Sequence, residues 1–410
     1  MKLAGGLLAL LTVVTFDSLP ARAADLEWTP EVYMDDQLYP SLLIATASVR
    51  PVEDEDAAAG ESDHYLLGDR FGPFGVSIKA PSANAKVKVT VKGNDVVAAS
   101  SWSGSLAEAG HDYYIAPKVN FRFDKLRAVR QQIPLNVEFE LEVDGKVVGD
   151  KAETVQLHSI NDCPYGVASS EETVDDENAE AGSSDLGFMF AAYVNENHPY
   201  IDKLLKEALE TEIVDNFAGY QAEEPTDVVK QVFAIWTTIQ KRGIKYSSIT
   251  DVPGGSQAVN SQYVRFLDQS ISNTQANCVD GSVLFSSILK KIGLRPFLVL
   301  VPGHMYLGVY LDKDGDDFVG IETTMIGGSP ADDEDELEGA PEVVDQLAED
   351  LDDEVTDGHA WKSFAGAVKK ATDDLEENGE KMDEGDPEYQ IIDIQEARDD
   401  GIMPISYAGH

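Results

Sequence analysis

The stretch NCVDGSVLFSSILKKIGLRPFLVLVPGHMYLGVYLDKDGDDFVGIETT, residues 277–324, contains one of the chain's two cysteines and changes its periodicity twice. Its first part sets Val279, Val283, Leu284, Ile288 and Ile292 on one helical stripe that closes at Gly293. That spacing predicts a helix opening at Cys278. PFLVLV then reads as a buried strand, and Pro302-Gly303 as a turn. HMYLGVYL alternates, with Met305, Leu307, Val309 and Leu311 on an apolar face and His304, Tyr306, Gly308 and Tyr310 on the other. DKDGDD turns the chain, and FVGIETT returns with Val319 and Ile321 apolar. The DKDGDD segment resembles the opening of a calcium loop, but Asp317 and Thr323 stand where such a loop has Gly and Glu, so it reads as a plain turn.

Parity sorts these residues. A hairpin that joins the two apolar faces puts His304 and Glu322 on one side, opposed or diagonal, whereas a slip of one residue would send them to opposite faces. Neighbours on one face lie within about 4.5–8 Å, close enough for the carboxylate to accept a hydrogen bond from the imidazole. At a helix start, free N–H groups and the positive end of the dipole favour a thiolate at Cys278. The three residues therefore read as a candidate nucleophile, base and orienting carboxylate. The Cys278 backbone N–H is one candidate oxyanion donor, and Gln262 and Gln275 are the side-chain candidates. Each also has an ordinary reading: a small residue at a helix start, a surface histidine, one acid among seventy-five. A Cys163–Cys278 disulfide is a further alternative.

Working outward, residues 24–170 read as an accessory domain, an all-β immunoglobulin-like antiparallel sandwich. Its strands are SLLIATASV, FGVSIKA, AKVKVTVKG, DYYIAPKVNFRF and LNVEFELEVDGKVVG, with Asp144-Gly145 as a hairpin turn. EETVDDENAEAGSS, residues 171–184, is acidic and small and reads as a linker. After it, Ile201, Leu204, Leu205 and Leu209, then Val229, Val232, Phe233, Trp236 and Ile239, mark two amphipathic helices. The second domain, 185–410, thus mixes helices and strands. Residues 331–360 hold fourteen acidic residues and no Lys or Arg. They read, with 372–387, as a surface insertion centred on 329–358 that is weakly helical at most. YQIIDIQEARDDGIMPI is expected to fold back onto the second domain.

The formal charge of −44 argues against nucleic acid and anionic membranes as partners. Residues 1–23 have the order of a secretory signal: Lys2, an apolar run from Leu3 to Phe16, and Ala21-Arg22-Ala23 as a small-x-small cleavage site. Export to the periplasm or beyond is the expectation, with no integral membrane segment once the signal is removed.

NCVDGSVLFSSILKKIGLRPFLVLVPGHMYLGVYL…FVGIETT, together with the upstream QYVRF, resembles the core of the transglutaminase-like superfamily. There a cysteine opens a helix, and a histidine and an acid follow on neighbouring antiparallel strands. The resemblance covers about residues 185–325 and implies a papain-like α+β fold with Cys278 as nucleophile, His304 as base and Glu322 as third member. Ala276 stands where the family usually has Gly, and Glu322 where it usually has Asp. Asp280 matches the family's acid after the cysteine and reads as support for the helix start. The implied activity is acyl transfer or hydrolysis on an amide or peptide through a thioester, without cofactor or metal. A protein or peptide is the expected substrate, cell-wall peptide among them. The alternative is a catalytically inactive binding or scaffold module on the same fold.

Overall fold

The computed structural model describes residues 26–49, 65–69, 71–168, 183–221, 224–247, 258–328 and 339–405. The candidate signal 1–23, most of the candidate linker and residues 329–338 of the acidic insertion lie outside them. The described chain is a mixed α+β protein. No helix among the described residues is long and apolar enough to cross a membrane.

In the β-rich first part, a five-stranded sheet runs in the order Gln37–Leu38, Lys146–Leu157, Ile133–Val143, Ala85–Val91, Ser100–Leu106. A four-stranded sheet runs in the order Trp28–Val32, Phe74–Lys79, Asp112–Ala116, Leu66–Gly68. Strict alternation buries Val87, Val89 and Val91 between them, and Phe74 of one sheet meets Phe139 of the other edge to face, 6.4 Å between centroids. Asp144 and Gly145 both take positive φ (49° and 76°), as a tight hairpin with right-handed strand twist requires.

Three features depart from the sequence reading. Pro40–Ala45, expected as a strand, is a helix: Pro40 occupies its first turn, where its missing N–H costs nothing, and a short apolar run has no periodicity to tell strand from helix. Two pairings are parallel, Leu66–Gly68 with Asp112–Ala116 and Gln37–Leu38 with the end of Lys146–Leu157. Ser100–Leu106, polar and glycine-containing, is a strand because Ala85–Val91 offers it a full ladder.

The strand Asp162–Ala168 leaves both sheets and pairs with Val259–Tyr263, setting Cys163 opposite Gln262. Beyond it lie the two amphipathic helices, Pro199–Leu209 and Pro225–Lys241. An antiparallel sheet follows in the order Phe318–Ile321, His304–Tyr310, Pro296–Val301, Gln390–Asp393. The C-terminal stretch supplies its last strand, with Ile392 opposite Leu298. The helix Cys278–Lys291 packs on this sheet, its Val283 and Leu284 in one core with Met305, Leu307 and Val309.

The side of the sheet expected to be polar is covered. A 25-residue helix, His359–Asp383, lies across it and packs Ala371 and Leu375 against Phe297, Val299 and Tyr306. Its backbone comes so near that a Cβ on Gly320 would sit 2.5 Å from the Ala371 carbonyl carbon. The acidic segment is therefore more structured than its composition suggests. Glu342–Asp350 is also helical and buries Val344 and Leu347. In the long helix Trp361, Phe364, Ala365, Val368, Ala371 and Leu375 form a three-and-four stripe between the acids, and burying it is what orders the segment.

Candidate active site

The start of the Cys278 helix is tied down twice. Asn277 is its N-cap: Asn277 Oδ1 accepts from Asp280 N at 2.8 Å, and the Asp280 carboxylate accepts from Asn277 N at 3.1 Å, a reciprocal capping box. Asp280 is buried and also accepts from the backbone N–H of Arg265 at 2.8 Å and from its guanidinium at 2.6 Å. Burial pushes the Asp280 carboxyl above its ordinary range, against the pull of these donors. The arrangement fixes Cys278 as the first helical residue, so its N–H belongs to the turn without intrahelical acceptors. Both cysteines are free thiols, Cys163 buried and Cys278 partly exposed.

The hairpin adopts the register that parity allows, with Leu307 opposite Ile321 and Val309 opposite Val319. His304 Nε2 lies 2.7 Å from Glu322 Oε2. The other ring nitrogen is thereby left for the Cys278 thiol, which hydrogen-bonds the imidazole. The bond with Cys278, then that with Glu322, outweighs partial burial and raises the His304 pKa to about 9, because a thiolate and a carboxylate both favour the imidazolium.

Glu322 follows the return strand and caps the short helical turn Thr323–Met325. It is fully buried. Its Oε1 accepts from Thr324 N at 3.0 Å and Thr324 Oγ1 at 2.6 Å, and its Oε2 from His304 and, at 3.0 Å, from Lys370 Nζ. Burial by itself would raise this carboxyl, but the bonds from His304 and Thr324 win and hold it at about 2. Gly281 lets the turn approach the cysteine helix: a Cβ there would lie 2.8 Å from Thr323 Oγ1.

Cys278 and His304 open onto a cavity of about 420 Å³, walled also by Gln262, Asn260, Phe190 and Gln390. Of the two side-chain oxyanion candidates, Gln262 lines this cavity. Gln275 does not; it is exposed on a two-residue strand paired with Lys245–Tyr246. The sequence reading missed Lys370, Thr324 and Arg265. Only Arg265 had a signal, as the arginine of QYVRF. The set can hold a thiolate against an imidazolium at a cavity wall, which suits attack on a carbonyl.

No family model and no curated protein matches this chain. Among solved structures, it matches the crystal structure of a "putative protease" from Parabacteroides distasonis, with 11% sequence identity, a TM-score of 0.19, and coverage of 63% of this chain and 68% of that one. A likeness at that score carries no argument about fold or chemistry, so the functional reading stands on the geometry of Cys278, His304 and Glu322.

Proposed function

We propose that this is an exported cysteine enzyme of the transglutaminase-like kind, which forms a thioester on an amide or peptide carbonyl and passes the acyl group to water or to an amine. The observation that carries the reading is the Cys278–His304 hydrogen bond, backed by the 2.7 Å contact of His304 with buried Glu322 at a cavity wall. In the first step the thiolate attacks the carbonyl carbon; a C–S bond forms and the π electron pair moves to oxygen, where the Cys278 N–H and the Gln262 side chain are the donors within reach. His304 then gives its proton to the amide nitrogen, the C–N bond breaks, and the amine leaves a thioester behind. Water or an amine attacks next, losing a proton to His304, and the thiolate departs. The order of helix, histidine strand and acid supports the family resemblance, and the two facing sheets suit an immunoglobulin-like accessory domain. The basic, apolar, small-x-small order of residues 1–23 supports export, which makes cell-wall peptides the first substrates to try.

The test is to incubate the protein with a panel of labelled peptides, quench in acid and look by mass spectrometry for an acyl adduct on Cys278. An adduct that disappears in Cys278→Ala, with the melting transition intact, is expected. Wild-type protein that forms no adduct and whose thiol has ordinary reactivity would sink the enzyme reading and favour a binding module.

A further inference from the structure

Glu322 Oε2 has two cationic neighbours, His304 at 2.7 Å and Lys370 at 3.0 Å. The lysine comes from the long covering helix, whose register against Glu322 is held by backbone contacts. Glu322 N donates to Ala367 O at 3.0 Å, and Gly320 N to Thr372 Oγ1 at 3.0 Å. Lys370 is thus placed by the fold, although its side chain is 54% exposed. The neighbouring Lys369 is engaged elsewhere, with Asp373 at 2.6 Å.

The chemistry gives this second cation a role. Each turnover takes His304 from imidazolium to imidazole and back. A fully buried carboxylate facing only a neutral imidazole and the Thr324 donors would be drawn to take up a proton or to turn away, because burial penalises its charged form. An ammonium on the same oxygen, half in solvent, carries a charge that does not depend on the imidazole. We propose that Lys370 is a positioning residue of this site, its ammonium keeping the Glu322 carboxylate charged and aimed at His304 through the step in which the imidazole is neutral. The inference rests on the nucleophile reading above.

A charge on that oxygen also competes with the imidazolium. The other titratable groups facing the pair are Cys278 from the cysteine helix, Tyr246 from the short strand beside it, Tyr306 from the histidine strand and Asp374 from the covering helix. None of these is altered in the following experiment. In Lys370→Met the His304 titration should move up by about half to one pH unit, the effect of removing a unit charge some 4–5 Å away in a water-like surrounding. The readout is the imidazole C–H signal of His304 in protein carrying labelled histidine, assigned with His304→Gln. Alkylation of Cys278 by iodoacetamide is followed on the same samples. A rise in Lys370→Met, reversed in Lys370→Arg, is expected. A His304 titration that stays at its wild-type pH in Lys370→Met, while wild-type Cys278 still alkylates well below pH 8, overturns the role of Lys370 and leaves the enzyme reading intact. Wild-type Cys278 alkylating with the midpoint near 8.5 of a free thiol would overturn both.

Discussion

Replacing Glu322 by glutamine tests the core of the site with a change of one atom. Four donors converge on the carboxylate: Thr324 N and Oγ1 on one oxygen, His304 Nε2 and Lys370 Nζ on the other. An amide has only one acceptor oxygen, so no orientation satisfies both ends. With oxygen toward Thr324, the amide NH2 faces the imidazole and drives it to the tautomer whose proton sits on the nitrogen beside the thiol, where it can no longer accept one. The rise in His304 pKa from 6.5 to about 9 corresponds to roughly 3 kcal/mol of preference for the imidazolium, shared by the thiol and the carboxylate, the thiol contributing more. If Glu322 supplies somewhat under half, its loss costs about 1.4 kcal/mol, a tenfold fall in the thiolate–imidazolium population. The assay is the rate of iodoacetamide alkylation of Cys278 at pH 6, by mass spectrometry, beside a urea melt. About tenfold slower alkylation and about 1–3 kcal/mol of lost stability, from a buried donor left without an acceptor, are expected. Wild-type alkylation in a folded Glu322→Gln protein would refute the coupling of Glu322 to the thiol.

Three further outcomes are expected. Asp280→Ala removes the buried acceptor of Arg265 and Asn277 and should cost about 3–5 kcal/mol in a urea melt, since the guanidinium is left unpaired; a loss below 1 kcal/mol would contradict the account of the helix start. Gly281→Ala puts a methyl 2.8 Å from Thr323 Oγ1, and overpacking of about 1–3 kcal/mol together with slower Cys278 alkylation should follow as the turn bearing Glu322 shifts; unchanged stability would show that the turn yields freely. The site should also shape stability against pH. His304 binds its proton more tightly when folded, so its contribution is fully present below 6.5 and lost as pH rises through about 9. Glu322 is depressed from 4.5 to about 2, so its contribution is present above 4.5 and lost as pH falls through about 2. The urea midpoint should therefore fall between pH 6 and 9.5 in the wild type, and His304→Gln should flatten that decline; an equal decline in both proteins would place its origin elsewhere.

Local pattern sufficed for the central hairpin and helix. Val279 to Ile292 repeat at helical spacing, His304–Tyr310 and Phe318–Ile321 alternate, and a register constrained to join two apolar faces leaves His304 and Glu322 on the same side whichever even offset the turn selects. The Asn277–Asp280 box is likewise written within four residues. Where local pattern was ambiguous, the reading failed: SLLIA carries no period, and Ser100–Leu106 is a strand only because a neighbour completes its ladder.

The rest was decided by packing between elements far apart in the chain. Lys370 reaches Glu322 across 48 residues, and nothing in AVKKATDD marks one lysine as different from the next. The side of the sheet bearing Tyr306 looked solvent-facing because the helix that covers it hides its apolar stripe among acids. Gln262, rather than Gln275, lines the cavity because its strand pairs with Asp162–Ala168, a partner about a hundred residues earlier. Periodicity is a property of a single segment and reports which face of that segment is apolar. Which other segment covers the face, and which charge that partner brings with it, depends on the whole chain closing around one core.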